Sequence, residues 1–481
     1  MLAVSLFCAI ASSVFTSMWT LRRAPAGGAA VPTSANTPAM CQASQPGWDV
    51  AIAAALEPFR SGVTREMIDA AAHAVDRSEG GYVVAVVAGR LYAREIAGGR
   101  GAQQRAPLLL FHKVLACFDV PDVLLVLHDG DDALSVRALP PLPVFGWNKH
   151  PARHWDVPWP CHEQFNYPAE WLPPRAALPR WAARDGRAIF RGAPTGGEYT
   201  AAAWRDRARA KVVLFCAART DLCDARFTSL APVADADAAR AMRAALPLAP
   251  PMTVREQMAF KLSILPDGNG APASRSGGFF SGGFAVLKHE SGFVEFFYPL
   301  MRPWVHYVPL LANLSDLGEK IAWAQAHDAA AARIANASRA FAERQLTDAA
   351  VACYAARALA RYAGLQRFDV AAAVASDARL RPTGENRWFA QLRREEEKRR
   401  AKRTLTYKLK AALRRAKRAL GLAPAPPPRR RRRLSAASED PSRENAGASS
   451  AEPPSSPSRG HSQISQKREQ LGAYLSDCRA R

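Results

Sequence analysis

The chain has 481 residues, 48% of them apolar, and a formal net charge of +22. This length and apolar share leave room for two domains of ordinary size and exclude a wholly disordered chain. The charge does not mark a nucleic-acid-binding body: residues 393–433 hold eighteen Lys/Arg against three Glu, which leaves the first 392 residues with only about +7.

Eight cysteines are scattered along the chain, at Cys8, Cys41, Cys117, Cys161, Cys216, Cys223, Cys353 and Cys478. They form no CxxC pair and no Cys/His spacing that suits zinc, so a structural metal is not expected. In an oxidising compartment some would form disulfides, with the pairing open.

Residues 2–21 are uncharged and mostly apolar and end at Arg22 and Arg23. They read as a signal or membrane anchor over 1–23, with a plastid or mitochondrial address as an alternative. The two arginines oppose a luminal orientation. Residues 24–45, rich in Ala, Gly, Pro, Ser and Thr, read as a linker. Apolar spacing then predicts helices over 50–58 and 64–76. A strand follows from Tyr82, with a turn at Gly89 and a second strand.

Residues 108–118 are helix-like, and 123–127 are wholly apolar, as a buried parallel strand would be. Asp129 then lies just past a carboxyl strand end, where ligands bind in open α/β sheets. Residues 140–180 are irregular and rich in Pro and Trp. A strand at 188–190 runs into Arg191, Gly192, Thr195, Gly196 and Gly197, whose amides and guanidinium suit phosphate oxygens. A strand is predicted at 211–217, a helix at 254–262, and strong helix over 313–365. After Asp369 order signals fade. A basic helix at 388–420 and a Pro/Arg run lead into a Ser/Pro-rich end.

The stretch 267–309 concentrates glycine, proline and aromatics around Arg275, Glu295 and His306. A glycine-rich loop, a short strand at 284–287 and then a carboxylate with aromatics are what a sugar-nucleotide pocket needs. Amides and arginine would hold diphosphate, and Glu295 the ribose hydroxyls. Asp129 suits a general base, against the plainer role of a loop cap. AspGlyAsp at 129–131 is similar to a metal-binding DxD but is short. His306 reads as a core histidine, and no Ser/His/Asp order supports a hydrolase.

Taken together, the strand ending in Asp129, AspValProTrpPro at 156–160, PheArgGly at 190–192, SerArg at 274–275 and the segment 295–309 resemble the protein O-glucosyltransferases and capsule-associated xylosyltransferases. These form family 90 of the glycosyltransferases, and the likeness covers roughly 82–365. It implies an α/β fold of GT-B type, two Rossmann-like domains facing across a cleft, with a disordered basic tail over 369–481. The acceptor-side domain would be 46–180 and the donor-binding domain 181–368, its last helices packing back on the first. The reaction implied is an inverting, metal-independent transfer of glucose or xylose from UDP-glucose or UDP-xylose to a protein or glycan hydroxyl.

Under this resemblance Asp129 is the catalytic base. Donor-binding positions are Arg191, Gly192, Thr195, Gly270, Ala271, Pro272, Ala273, Ser274, Arg275 and Glu295, and acceptor-side positions are Lys149, Asp156 and Trp159. Cys41 and Cys353 are disulfide candidates, and neither a cofactor nor a metal is implied. The secretory pathway, endoplasmic reticulum or Golgi, is the expected compartment, although no terminal LysAspGluLeu supports retention there. Sequons stand at Asn313 and Asn336.

Glycines at 276–283 stand where relatives carry bulkier residues, which leaves the sugar open. The segment 160–166 has no family counterpart, which leaves the acceptor open. The basic tail suits an anionic membrane surface, and no specific nucleic acid is expected. The rival reading is an inactive transferase fold that binds glycan or nucleic acid through the tail.

Overall fold

The computed structural model describes residue 41 and residues 45–78, 80–96, 107–161 and 175–383. The signal or anchor, nearly all of the linker, the 388–420 helix and the basic run fall outside these residues. Among those described, no helix is long and apolar enough to cross a membrane.

The chain enters through α1 (Gln45–Leu56) and α2 (Arg65–Asp76). Thr64 caps α2 by accepting from the Met67 amide, and Ile68, Ala71, Ala72 and Val75 form its buried stripe at helical spacing. β1 (Gly81–Val87) and β2 (Arg90–Ile96) form a hairpin in which Val87 faces Arg90. The two turn residues, Ala88 and Gly89, both take positive φ (48° and 71°), the turn that matches strand twist. α3 (Leu109–Leu115) leads to β3 (Val123–His128), whose six residues are all buried.

Short strands β4 (Val144–Gly146), β5 (Asn148–Lys149) and β6 (Val157–Pro158) follow. β7 (Asp185–Gly192), α4 (Ala208–Ala218), β8 (Cys223–Phe227), α5 (Ala236–Ala245), α6 (Val254–Gln257) and β9 (Phe260–Leu265) come next. Then come α7 (Ala273–Ser281), β10 (Ala285–His289), β11 (Val294–Glu295) and β12 (Val308–Leu310). α8 (Leu317–Ala326), α9 (Asp328–Gln345), α10 (Asp348–Ala363), α11 (Val370–Ser376) and β13 (Arg381–Pro382) complete the described chain.

The protein is α/β. A six-stranded sheet runs β13-β2-β1-β3-β4-β6, a five-stranded sheet runs β12-β10-β9-β7-β8, and β11 pairs with β5. The five-stranded sheet is parallel throughout. β3 differs from the expected parallel strand on one side: it is parallel to β4 but antiparallel to β1, because the hairpin turns β1 against it.

Four expectations change. Residues 211–217 lie in helix α4 rather than a strand. Their apolar run does not fix a period, and the preceding ArgAlaArgAla extends it to helical length. The helix expected over 254–262 stops at Gln257, where a Thr253/Glu256 capping box makes one turn before alternating PheLysLeuSerIleLeu forms β9. The glycine-rich residues after Arg275 belong to helix α7 rather than a loop. Order also runs past Asp369, whose side chain caps α11, and β13 pairs with β2.

α10 belongs to the core of the six-stranded sheet. Trp48 packs against Phe296 and Tyr354, and Tyr362 meets Phe145 edge-on. The Gln366 amide bonds both main-chain groups of Leu124 (3.1 and 2.5 Å), and Cys41 is joined to Cys353 by a disulfide. A second disulfide, Cys216–Cys223, ties α4 to the start of β8.

Candidate active site

Three loops meet beyond the carboxyl ends of β3, β7 and β9. Asn148, on β5, is the joint between them. Its Nδ2 donates to the Asp131 carbonyl (3.0 Å), and its amide lies so close to Gly270 that a Cβ there would collide with it. The loop that carries Asp129 is thereby fastened to the loop that follows β9. Asp129 itself is half-buried at the end of β3, with its amide bonded to the Gly80 carbonyl (3.1 Å).

The 193–197 and 267–271 loops interlock: the Gly196 amide donates to Asn269 Oδ1 (3.0 Å), and Gly268 lies against Thr195 Oγ1. Two guanidiniums cover this surface. Arg275 donates from Nη1 to the Arg191 carbonyl (2.5 Å) and passes over Gly192, where a Cβ would stand 2.8 Å from Nη1. Arg209, from α4, donates to the carbonyls of Asp267 (3.1 Å) and Ala193 (3.0 Å) and passes over Gly268.

Burial, with the Arg275 charge beside it, brings the Arg209 guanidinium down to about 10, while Asp267 and Asp131 oppose the shift. Two neighbouring guanidiniums concentrate positive potential where Gly192 and Gly268 lie beneath them. α7 starts here at Ala273 and Ser274. Its N-cap, Pro272, makes no side-chain cap, and the buried Gly270, Ala271 and Pro272 lead into it. Uncapped amides and the helix dipole suit an anion.

Several expected site residues do other work. Arg191 sits at the end of β7, but its guanidinium is bound to the Asp224 carbonyl and carboxylate (both 2.7 Å). Its carbonyl, rather than its charge, reaches Arg275. Glu295 is wholly buried and accepts from Ser276 Oγ (3.0 Å), so it fastens α7 from below instead of facing a ribose.

Trp159 is not on an acceptor face. It is 1% exposed and sandwiched in the core by Phe111 and Phe145. Asp156 is also fully buried, and its two oxygens accept the Leu134 and Ser135 amides (2.9 and 2.8 Å). Lys149 is buried too, and burial pushes its ammonium down to about 8 against the pull of Asp156. Pro and Trp in that segment serve packing, which composition alone does not distinguish from a binding surface.

Next to Asp129, His128 is 1% exposed, and burial pushes its imidazole down to about 4 although the Asp129 charge opposes this. The fold therefore favours the neutral ring. Its contribution to stability is complete above the unfolded value of 6.5 and is lost as pH falls towards 4. A melting series over that interval is expected to fall more steeply for the wild type than for His128→Gln, and parallel curves would show that His128 does not carry the effect.

A mixed and a parallel sheet, with two guanidiniums laid over glycines beyond the carboxyl strand ends, define an α/β protein with a candidate site in that place. The chain belongs to glycosyl transferase family 90, which matches residues 42–379. It is similar to protein O-glucosyltransferase 2 of Danio rerio, with 43% identity over 107 residues, which is 22% of this chain and 21% of the relative. Protein O-glucosyltransferase 3 of Rattus norvegicus is 47% identical over 81 residues, 17% of this chain and 16% of that protein. Protein O-glucosyltransferase 1 of Homo sapiens is 26% identical over 337 residues, 66% of this chain and 79% of the relative. The chain thus spans about a fifth or less of the first two and most of the third.

Proposed function

We propose that the protein is an inverting glycosyltransferase that moves glucose or xylose from a UDP-sugar to a hydroxyl of a protein (Ser/Thr) or glycan. The observation that carries this reading is the meeting of the Asp129 loop with two guanidiniums laid over glycines at the start of α7. In this reading Asp129 takes the proton of the acceptor hydroxyl as its oxygen attacks the anomeric carbon, and UDP leaves from the opposite side. Arg275, Arg209 and the first amides of α7 stabilise the charge that develops on the diphosphate, so the transfer needs no divalent cation.

The two sheets then correspond to the Rossmann-like halves of a GT-B arrangement, with the donor on the parallel sheet. The Cys41–Cys353 and Cys216–Cys223 disulfides and the exposed Asn313 and Asn336 support a secretory lumen as the compartment. The names of the relatives make a protein hydroxyl the first acceptor to try.

A thermal-shift panel of nucleotide sugars tests the donor. UDP-glucose or UDP-xylose is expected to raise the melting temperature, ADP-glucose to do so much less, and EDTA to leave the shift unchanged. No response to any uridine ligand would remove the reading, and loss of the shift with EDTA would remove metal independence.

A further inference from the structure

The five-stranded sheet leaves β8 as an outer strand, and a cleft of ≈ 320 Å³ runs along it. Four consecutive residues of β8, Cys223 to Arg226, line the cleft. Neighbouring side chains on a strand point to opposite faces, so a space that touches all four lies at the strand's open edge. One wall is apolar, made by Val213 and Ala217 from α4 and by Ala245 and Pro247. The other carries Arg187, whose guanidinium is already held by Asp185 (2.7 Å), and Arg226 against Asp224. The Cys216–Cys223 disulfide crosses the floor and fixes α4 relative to β8, so the walls keep their spacing.

The charged wall is connected to the donor loops. Arg226 meets Asp224 through Nε (3.0 Å) with 45% of its side chain exposed. The Asp224 carboxylate holds Arg191 (2.7 Å), and the Arg191 carbonyl holds Arg275 (2.5 Å) where it covers Gly192. An anion that draws Arg226 towards itself changes what Asp224 offers Arg191, and this is a physical route from the cleft to Arg275.

We propose that this cleft binds a small amphipathic monocarboxylate, an apolar chain of roughly six to eight carbons with one anionic head, and that its occupancy alters donor affinity. The apolar wall takes the chain and the partly exposed Arg226 takes the head. The coupling rests on the donor reading given above, whereas the binding does not.

Octanoate titrated calorimetrically into the full chain is the test, with octanol as the uncharged control. Saturable octanoate binding is expected. It should weaken about tenfold or more in Arg226→Ala, which removes the charged contact, and in Ala217→Trp, which fills the cleft from an exposed position. Equal octanoate affinity in wild type and both variants, or equal affinity for octanol, overturns the site. UDP is then titrated with and without saturating octanoate. Because coupling is reciprocal, UDP must change octanoate affinity by the same factor. If UDP binds equally well in both cases, the coupling falls. If UDP does not bind at all, the donor reading falls and the octanoate titrations alone decide the cleft.

Discussion

Replacing Asp129 by asparagine is expected to slow transfer from a UDP-sugar by roughly 10³-fold while UDP affinity changes by less than about threefold. The side chain keeps its size and its place at the end of β3, where the main chain is held to Gly80. Asn148 continues to tie the loop to Gly270, so the donor surface is not disturbed. What is lost is the capacity to accept a proton. Single-turnover rates and UDP calorimetry on the same preparation separate the two effects. Equal losses in rate and affinity would show that Asp129 supports the donor site rather than the acceptor hydroxyl.

Arg275→Ala is expected to do the reverse and weaken UDP binding by roughly 10- to 100-fold, the range for loss of charge-assisted hydrogen bonds. The variant also loses the bond to the Arg191 carbonyl, so its melting temperature must be compared with the wild type. Arg275→Lys separates charge from shape: a point cation recovers part of the attraction to diphosphate but lacks the planar fork that lies across Gly192. Unchanged UDP affinity in the alanine variant would take Arg275 out of the donor site.

The sequence discloses those parts of the fold in which periodicity and turn chemistry agree. Gly89 marks the hairpin, the apolar run before His128 marks β3, and the helical spacing after Asn313 marks α8 to α10. It misleads where a short apolar run fits two periods. Reading 211–217 as a strand hides α4, and with it Arg209, which lies on that helix yet reaches the 193–197 and 267–271 loops.

Asn148 has no sequence signal at all. Its role comes from a two-residue strand pairing with β11, a contact between segments almost 150 residues apart. Trp159 and Asp156 show the opposite error. Their residue types suggest a ligand-facing loop, but burial assigns one to the core and the other to holding the distant backbone of Leu134 and Ser135.

The return of α10 to the first sheet has a consequence for how the protein is made. Trp48 finds Tyr354, Leu124 finds Gln366 and Cys41 finds Cys353 across more than two hundred residues of intervening chain. A ribosome delivers the amino-terminal strands long before their closing helix. The early half must therefore wait, unsealed and in need of chaperone cover, until the last quarter of the described chain has emerged. The all-parallel sheet closes one face on its own helices, while Ile189, Leu265 and Val286 on the other face share the core of the first sheet and α10.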